Sequence, residues 1–281
     1  MSLTNVRQAL AAAPAFESDS RQLDTELLLA HALGKSRSWL RGFADEPIRT
    51  EALGRFHALC ERRAAGTPIA HLLGQREFWS LPIIVTADTL IPRPETELLV
   101  ELALENIGAE ASVADLGTGS GAIALAIASE RPEATVYATE QSGAALAVAH
   151  RNARQLELKN IRFYQGNWCD ALPPRKLNVI VSNPPYIDAA DPHLQQGDLR
   201  FEPVTALVAA DGGLADLQLI AQQARDYLQP DGWLLMEHGW QQGTAVHSLL
   251  TELGYQAVST RRDLNDNDRV TMGQLAESSP L

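Results

Sequence analysis

Asn183-Pro184-Pro185-Tyr186 is the stretch whose residue types and spacing can do chemistry. The Asn183 side-chain oxygen and the Pro184 carbonyl are two acceptors that can grip both hydrogens of a planar –NH2 group, and the Tyr186 ring can pack on that group's flat face. An amide or arylamine nitrogen is a poor nucleophile because its lone pair is delocalised. Holding its hydrogens out of conjugation and aiming the lone pair at an electrophile is catalysis by orientation and electrostatics. It needs neither a metal nor a strong base. The bland alternative is a turn whose prolines only end a strand. The buried apolar run Val179-Ile180-Val181 before the tetrapeptide favours function.

A second group of residues can hold a cofactor. Asp115-Leu116-Gly117-Thr118-Gly119-Ser120-Gly121 is a glycine-rich turn between a short apolar strand and the apolar helix that starts at Ala122. Glycines there let the backbone approach a ligand closely. The spacing is G-x-G-x-G with an acid before it, not the G-x-G-x-x-G of a dinucleotide site. Glu140 follows 19 residues beyond Gly121, at the end of the next strand, where an acidic side chain holds a ribose hydroxyl pair. Trp168, after a third strand, can cover an adenine ring or simply fill the core.

These groups need a scaffold. From Val113 the chain alternates strands and helices, which predicts a Rossmann-like α/β domain with a mostly parallel sheet. Its ligands belong outside the carboxyl ends of the strands. Neither proline of Asn-Pro-Pro can donate to a ladder, and Asn183 is pushed to extended geometry by the proline after it, so the strand over 177–182 stops there. Further strands are expected at 135–139, 161–165 and 233–237, with a helix over about 214–228 and a closing pair at 255–259 and 269–273. The tail, 277–281, is expected to fray.

Residues 1–75 are predicted to be all helical. Leu23, Leu27, Leu28, His31 and Leu33 fall near one face of a helix stopped by Gly34. A longer helix over about 50–65 is closed by Gly66, and Thr67 is expected to cap the next one with Pro68 in its first turn. Between the domains, 76–92 is expected to form a β-hairpin that includes Leu90-Ile91-Pro92. Arg93-Pro94-Glu95-Thr96-Glu97 then opens a helix, while Thr89, Pro92 and Arg93 can instead line a pocket. The predicted domains are therefore 1–75 for packing or recognition, 76–92 as a hairpin linker, and 93–281 for catalysis.

Composition narrows the function classes. The chain has 281 residues, of which 45% are hydrophobic and 21% charged, as in ordinary globular proteins. Two cysteines and seven scattered histidines show no disulfide framework and no metal spacing, although His57 and Cys60 can share a helix face. No apolar run approaches a membrane span, and the start lacks a basic region ahead of a continuous apolar core, so neither membrane nor leader is expected, and a reducing cytoplasm is. Residues 1–75 carry nine basic and eight acidic side chains, a net +1, so the remainder carries −13 and the whole chain −12. An acidic body argues against a generic grip on nucleic-acid phosphates.

Taken together, the helical start, the hairpin, Ile91-Pro92-Arg93-Pro94-Glu95-Thr96-Glu97, the glycine loop, Asn183-Pro184-Pro185-Tyr186 and Arg200-Phe201-Glu202-Pro203 resemble one family, the release-factor glutamine methyltransferases, over nearly the whole chain. The resemblance implies methyl transfer from S-adenosylmethionine, leaving S-adenosylhomocysteine, to the side-chain amide N5 of the glutamine in the Gly-Gly-Gln loop of class I peptide-chain release factors. It places Gly117, Thr118, Gly119, Ser120 and Gly121 at the cofactor's methionine end, Glu140 on the ribose, Trp168 beside the adenine, and Asn183 to Tyr186 on the glutamine amide, with Asn183 also near the cofactor. Asn167 stands where relatives often carry an acid near the adenine. Two other classes compete. One is an amino methyltransferase acting on adenine or guanine of a nucleic acid, which needs a basic groove and a flipped base. The other is a non-enzymatic cofactor-binding scaffold, which the intact amide-gripping turn disfavours.

Overall fold

The computed structural model describes residues 4–16, 18 and 20–276, so the tail expected to fray, and the first three residues of the start, lie outside the described residues. Contacts divide the chain into two compact units. One is Met1–Gln75 together with Gln195–Phe201; the other is Arg76–Leu194 together with Glu202–Leu281.

The first unit is helical, as expected: α1 (Val6–Ala11), α2 (Arg21–Leu33), α3 (Arg37–Gly42), α4 (Thr50–Ala64) and α5 (Ile69–Leu73). Gly34 ends α2 in the left-handed conformation at φ 63°, with its N–H on the His31 carbonyl. The buried face of α2 differs from the apolar row. Leu28 and Leu29 are fully buried with Asp24, Thr25 and Glu26, while His31 is exposed and Leu23 is 38% exposed. The acids can be buried because each meets an arginine: Asp24 pairs with Arg63 at 3.2 Å and Glu26 with Arg37 at 2.6 Å. Those partners lie 39 and 11 residues away, where helical periodicity has no view of them. Ser18 and Ser20 also donate to Asp24. A second correction concerns α5. Pro68 is itself the cap, in extended geometry, so Thr67 lies one position too early to cap the helix. Gln195–Phe201 belongs to this unit through Asp198, 3.7 Å from Arg63, and through Arg200 and Phe201, which lie against Gly66.

The second unit opens with β1 (Gln75–Phe78) and β2 (Leu81–Ile84), a two-stranded sheet. Their turn puts Trp79 and Ser80 at φ 52° and 58°, the geometry of a primed hairpin turn normally left to glycine and asparagine. Two acids hold it: Glu97 accepts the Trp79 backbone N–H and Glu130 its indole N–H. Leu90-Ile91-Pro92 adds no strand to this hairpin. Proline cannot donate there, and the Ile91 N–H goes to the Glu202 carboxylate at 3.1 Å.

A 3-10 turn, Pro94–Thr96, leads into α6 (Glu97–Glu105). The alternating chain follows: β3 (Ser112–Leu116), α7 (Ala122–Glu130), β4 (Thr135–Glu140), α8 (Gly143–Gln155), β5 (Ile161–Gln165), β6 (Leu177–Ser182), α9 (Ala210–Gly213), α10 (Ala215–Tyr227), β7 (Leu228–Glu237), α11 (Gly243–Glu252), β8 (Tyr255–Arg262) and β9 (Asp268–Leu275). The sheet order is β5-β4-β3-β6-β7-β9-β8, with β9 antiparallel to both of its neighbours and the rest parallel. This is the Rossmann-like fold expected. Its direction reverses between β3 and β6, the place where such sheets bind ligands.

The hairpin is fixed to the sheet by one buried side chain. Asn152 on α8 donates to the carbonyls of Ile84 (3.0 Å) and Ser120 (2.8 Å) and accepts the Ile84 N–H (2.8 Å). Asn152→Ala strands these backbone groups in a buried site. The expected loss is at least about 2 kcal/mol, since each unsatisfied buried group costs on the order of 1–3 kcal/mol. A urea midpoint unchanged from wild type would show that the clamp carries no stability.

Candidate active site

Parallel register brings the chemistry together. Leu116 stands opposite both Thr139 on β4 and Ser182 on β6, so Gly117, Glu140 and Asn183 emerge side by side at the carboxyl edge. Ser182 in turn pairs with Met236, which puts Glu237 next to Asn183 at the same edge. A cavity of about 640 Å³ opens there, within the range of small-molecule sites. Gly117, Thr118, Gly119, Ser120, Glu140, Trp168, Asn183 and Pro185 all line it, as do Thr89, Pro92 and Arg93. Gly121, Pro184 and Tyr186 do not. Gly121 starts α7 and packs against Leu125 and Ala149, Pro184 is buried, and Tyr186 packs partly buried against the core.

Backbone and acids build the glycine loop together. Gly117, Gly119 and Gly121 have φ of 72°, 58° and 88°, a region costly for side chains with Cβ. At Gly117 a Cβ would come within 2.7 Å of the Trp168 ring, whereas at Gly119 it would meet nothing within 4 Å, so the loop is open toward the cavity at Gly119. Asp115, fully buried, accepts from the Thr118 hydroxyl (2.5 Å) and the Ala124 N–H (3.1 Å) through one oxygen, while the other has no hydrogen-bond partner. Burial pushes its pKa up to about 7, against the pull of those two hydrogen bonds. Asp115 therefore shapes the loop from behind. Glu140 accepts the N–H groups of Gly119 (2.9 Å) and Ser142 (2.8 Å), one on each oxygen, and each oxygen keeps acceptor capacity for a ligand.

Trp168 belongs to both the core and the cavity wall. Its ring packs against the core and lies over Gly117 while lining the cavity, at φ 37°. Asn167 and Asp216 line the same end. Burial raises the pKa of Asp216, and a hydrogen bond from the Trp168 side chain opposes that rise.

Asn183 is held by its nitrogen. Nδ2 donates to the Thr96 hydroxyl at 3.2 Å, and among the described residues no donor engages the Asn183 side-chain oxygen or the Pro184 carbonyl. Behind the turn, the Tyr186 hydroxyl donates to Glu237 at 3.2 Å, and Gln242 on the other side donates to the Tyr186 carbonyl at 3.0 Å. Burial raises the Tyr186 phenol pKa, and the Glu237 charge raises it further. Burial also pushes Glu237 up to about 7, opposed by the Thr96 hydroxyl, Arg269 and Tyr186, and reinforced by the charge of Glu95. Arg93 forms an ion pair with the buried Glu202, which also takes the Ile91 N–H. The runs Arg93-Pro94-Glu95-Thr96-Glu97 and Arg200-Phe201-Glu202-Pro203 thus meet at one carboxylate.

A parallel sheet reversing at the cavity, with a glycine loop, a sheet-end acid and an amide-bearing turn at its mouth, defines a Rossmann-like S-adenosylmethionine-dependent methyltransferase. Residues 92–261 match the Methyltransferase small domain family, and residues 2–74 match the PrmC N-terminal domain family. The release factor glutamine methyltransferase of Escherichia coli (strain K12) is 50% identical over 270 residues, covering 96% of this chain and 97% of its own. That of Xylella fastidiosa (strain Temecula1) is 53% identical over 255 residues, covering 90% and 93%. This chain belongs to the release factor glutamine methyltransferase family. A methyltransferase from Pyrococcus furiosus shares the fold at a TM-score of 0.54 and 19% identity, covering 70% of this chain and 90% of that one. So does the hMettl16 catalytic domain in complex with the MAT2A 3'UTR hairpin 6, at 0.56 and 16%, covering 76% and 82%.

Sequence reasoning missed Thr96, Asn152, Glu237 and Gln242 as parts of the site. Glu237 had a signal. It is a charge closing the apolar run Leu234-Leu235-Met236 at a strand's carboxyl end. Asn152 and Gln242 had none, since both act through backbone groups far away in the chain.

The raised carboxylates give a signed pH prediction. The pKa of Glu237 rises from 4.5 to about 7 on folding, so its favourable contribution is full below the unfolded value and is lost as pH rises through the folded one. Between about pH 5 and about pH 8, the Tm of Glu237→Gln should fall less than that of wild type, because the variant never has to ionise a buried group. Asp115 acts equally in both proteins and cancels. Parallel Tm curves would show that Glu237 does not titrate in this window.

Proposed function

We propose that this enzyme methylates the side-chain amide N5 of the glutamine in the Gly-Gly-Gln loop of class I peptide-chain release factors. The observation that carries it is the Asn183 amide, tied down by its nitrogen to Thr96 with its oxygen unengaged at the mouth of the glycine-loop cavity. The Asn183 oxygen and the Pro184 carbonyl take the two N–H hydrogens of the substrate amide, and Tyr186 limits where its plane can lie. The nitrogen lone pair is thereby turned out of conjugation and toward the cavity.

The residues present fit S-adenosylmethionine. Gly119 leaves open space at the loop, Glu140 offers two oxygens at the end of β4, and Trp168 gives a flat apolar wall. When bound, it supplies a methyl group on a sulfonium. The substrate nitrogen, held by the Asn183 oxygen and the Pro184 carbonyl, would take that methyl group, the electrons of the broken S–C bond would remain on sulfur, and one amide proton would leave to solvent. Gly117 to Ser120, with Gly121 starting the helix behind them, would accommodate the methionine end, Glu140 the ribose hydroxyls and Trp168 the adenine, with Asn183 between cofactor and acceptor. Pro185 completes the turn that seats the glutamine.

Residues 1–75 form the recognition domain, 76–92 the hairpin linker and 93–281 the catalytic domain. A narrow cleft cannot select one glutamine among all proteins, so a second contact surface is needed, and the helical domain supplies it. The partner is a release factor rather than a nucleic acid or membrane, and the site of action is the cytoplasm. No helix among the described residues is long and apolar enough to cross a membrane.

Two variants separate binding from chemistry. Glu140→Ala should weaken cofactor binding by one or two charge-assisted hydrogen bonds, on the order of 1.5–3 kcal/mol each, and also frees the Gly119 N–H. Asn183→Ala should leave that affinity nearly intact and lower single-turnover rate at least about a hundredfold, as for one oriented catalytic hydrogen bond. Calorimetry and rapid quench read the two effects; an Asn183→Ala rate near wild type removes Asn183 from the chemistry. For the acceptor, wild-type enzyme with radiolabelled cofactor and a release factor should leave protease-sensitive label that mass spectrometry maps to the Gly-Gly-Gln glutamine. Label confined to nuclease-sensitive material would overturn the proposal.

A further inference from the structure

Gln242 and the run Asp211-Gly212-Gly213 take no part in the methyl transfer itself, yet they close on the far end of the acceptor turn. Two of the four residues of Asn183-Pro184-Pro185-Tyr186 have no N–H, so the turn is fastened mainly through carbonyls and side chains. Asn183 is tied through its side chain to Thr96. The other end depends on the peptide unit between Tyr186 and Ile187. That unit is planar, so holding both its oxygen and its hydrogen fixes its rotation, and with it ψ of Tyr186. The Ile187 N–H donates to the Leu207 carbonyl at 2.9 Å. The Tyr186 carbonyl accepts from Gln242 at 3.0 Å.

The Gln242 amide is used at both ends. Its nitrogen donates to the carbonyls of Tyr186 and Gly212 (3.2 Å for the latter), and its oxygen accepts the Gly239 N–H at 2.8 Å. Turned over, it would set its oxygen against two carbonyl oxygens, so one orientation alone satisfies the three groups. The opposite wall is Gly213, where a Cβ would come within 2.1 Å of the Tyr186 carbonyl oxygen and 2.8 Å of the Gln242 nitrogen. Only glycine fits this approach. Asp211, Gly212 and Gly213 have successive φ of 55°, 61° and 85°, and a non-glycine residue in that region is costly. The strained run brings the Gly212 carbonyl to Gln242 and the Gly213 backbone to Tyr186. The segment that carries Gln242 also carries Glu237, which takes the Tyr186 hydroxyl. Residues 237–242 therefore hold Tyr186 at its carbonyl and at its hydroxyl.

We propose that Gln242 is a positioning residue: its amide clamps the Tyr186 carbonyl against Gly213 and so sets the direction in which the Tyr186 ring leaves the Asn-Pro-Pro-Tyr turn. This rests on that turn seating the acceptor amide, whose plane the Tyr186 ring limits. The oxygen of the same side chain has a separate task. It closes Gly239-Trp240-Gln241-Gln242 into the turn that starts α11, where the Gln242 N–H also returns to the Gly239 carbonyl at 2.9 Å. The donor end of the amide thus serves the site and the acceptor end serves the scaffold, and substitution can part them.

The test uses the full-length chain. Gln242→Glu keeps the length and the acceptor for Gly239 but removes the donor to Tyr186, whereas Gln242→Met removes both. With carbon-13-labelled tyrosine the protein has five labelled rings, and Tyr186→Phe identifies the signals of Tyr186 by their loss. Those signals should move in Gln242→Glu, in Gln242→Met and in Gly213→Ala. Gln242→Glu should lower kcat at saturating release factor by at least about tenfold, the scale of one hydrogen bond, with cofactor Kd within about twofold. A residue kept only to start α11 would leave Gln242→Glu with wild-type kcat and an unmoved Tyr186 ring, and either result overturns the inference. Folded Gly213→Ala with wild-type kcat would overturn it independently; should that variant not fold, Gln242→Glu alone decides. Wild-type enzyme inactive on release factors would instead sink the proposed function, and the ring signals would still decide the clamp.

Discussion

The structure depends on the register of three parallel strands. Leu116 lies opposite Thr139 and Ser182, so three strands end at the same level and hand their next residues to one edge. Those residues are a glycine, an acid and an amide. In a parallel sheet a one-residue slip would send every side chain to the other face, and Asn183 would no longer share an edge with Gly117. The register is held from within. The Ser182 hydroxyl donates to the Leu116 carbonyl at 2.8 Å, and the Gly117 and Thr118 N–H groups both reach the Thr139 carbonyl. The prolines at 184 and 185 then end β6 where the chemistry begins.

Precision at this edge is maintained against stability. Asp115 and Glu237 are buried carboxylates whose pKa values burial lifts to about 7, and each has one oxygen without a partner. A buried acid with an unsatisfied oxygen destabilises a fold unless it does something an apolar residue cannot. Asp115 pins the loop through Thr118 and Ala124, and Glu237 accepts the Tyr186 hydroxyl. Native sites store unfavourable groups where function requires them.

Elsewhere, several buried polar side chains are fully engaged. Asn152 uses both ends of its amide to join the hairpin to the glycine loop, and Asn160 donates to the carbonyls of Ala128, Arg131 and Ala134. In the helical unit Asp24 and Glu26 are neutralised by Arg63 and Arg37. Such pairs contribute little net energy but fix one arrangement of helices, because leaving either charge alone in the interior is costly.

Much was legible in the chain itself, and for local reasons. Alternating apolar strands and helices predicted the sheet, the spacing of the glycines predicted the loop, and Asn-Pro-Pro predicted a strand end, because each depends on residues within a few positions of one another. Gly34 ended its helix as expected for the same reason. What failed was long-range. The apolar row Leu23, Leu27, His31 could not show that Asp24 and Glu26 would be buried instead, since their arginines come from elsewhere in the chain. Leu90-Ile91-Pro92 resembled a strand until Glu202, 111 residues on from Ile91, took its N–H. The residue types of the site were set by sequence alone: a glycine loop, an acid and an amide turn. Only the tertiary structure decided how the amide is held, because Thr96, which accepts from the Asn183 nitrogen, lies 87 residues away in the chain and reaches it only in the folded domain.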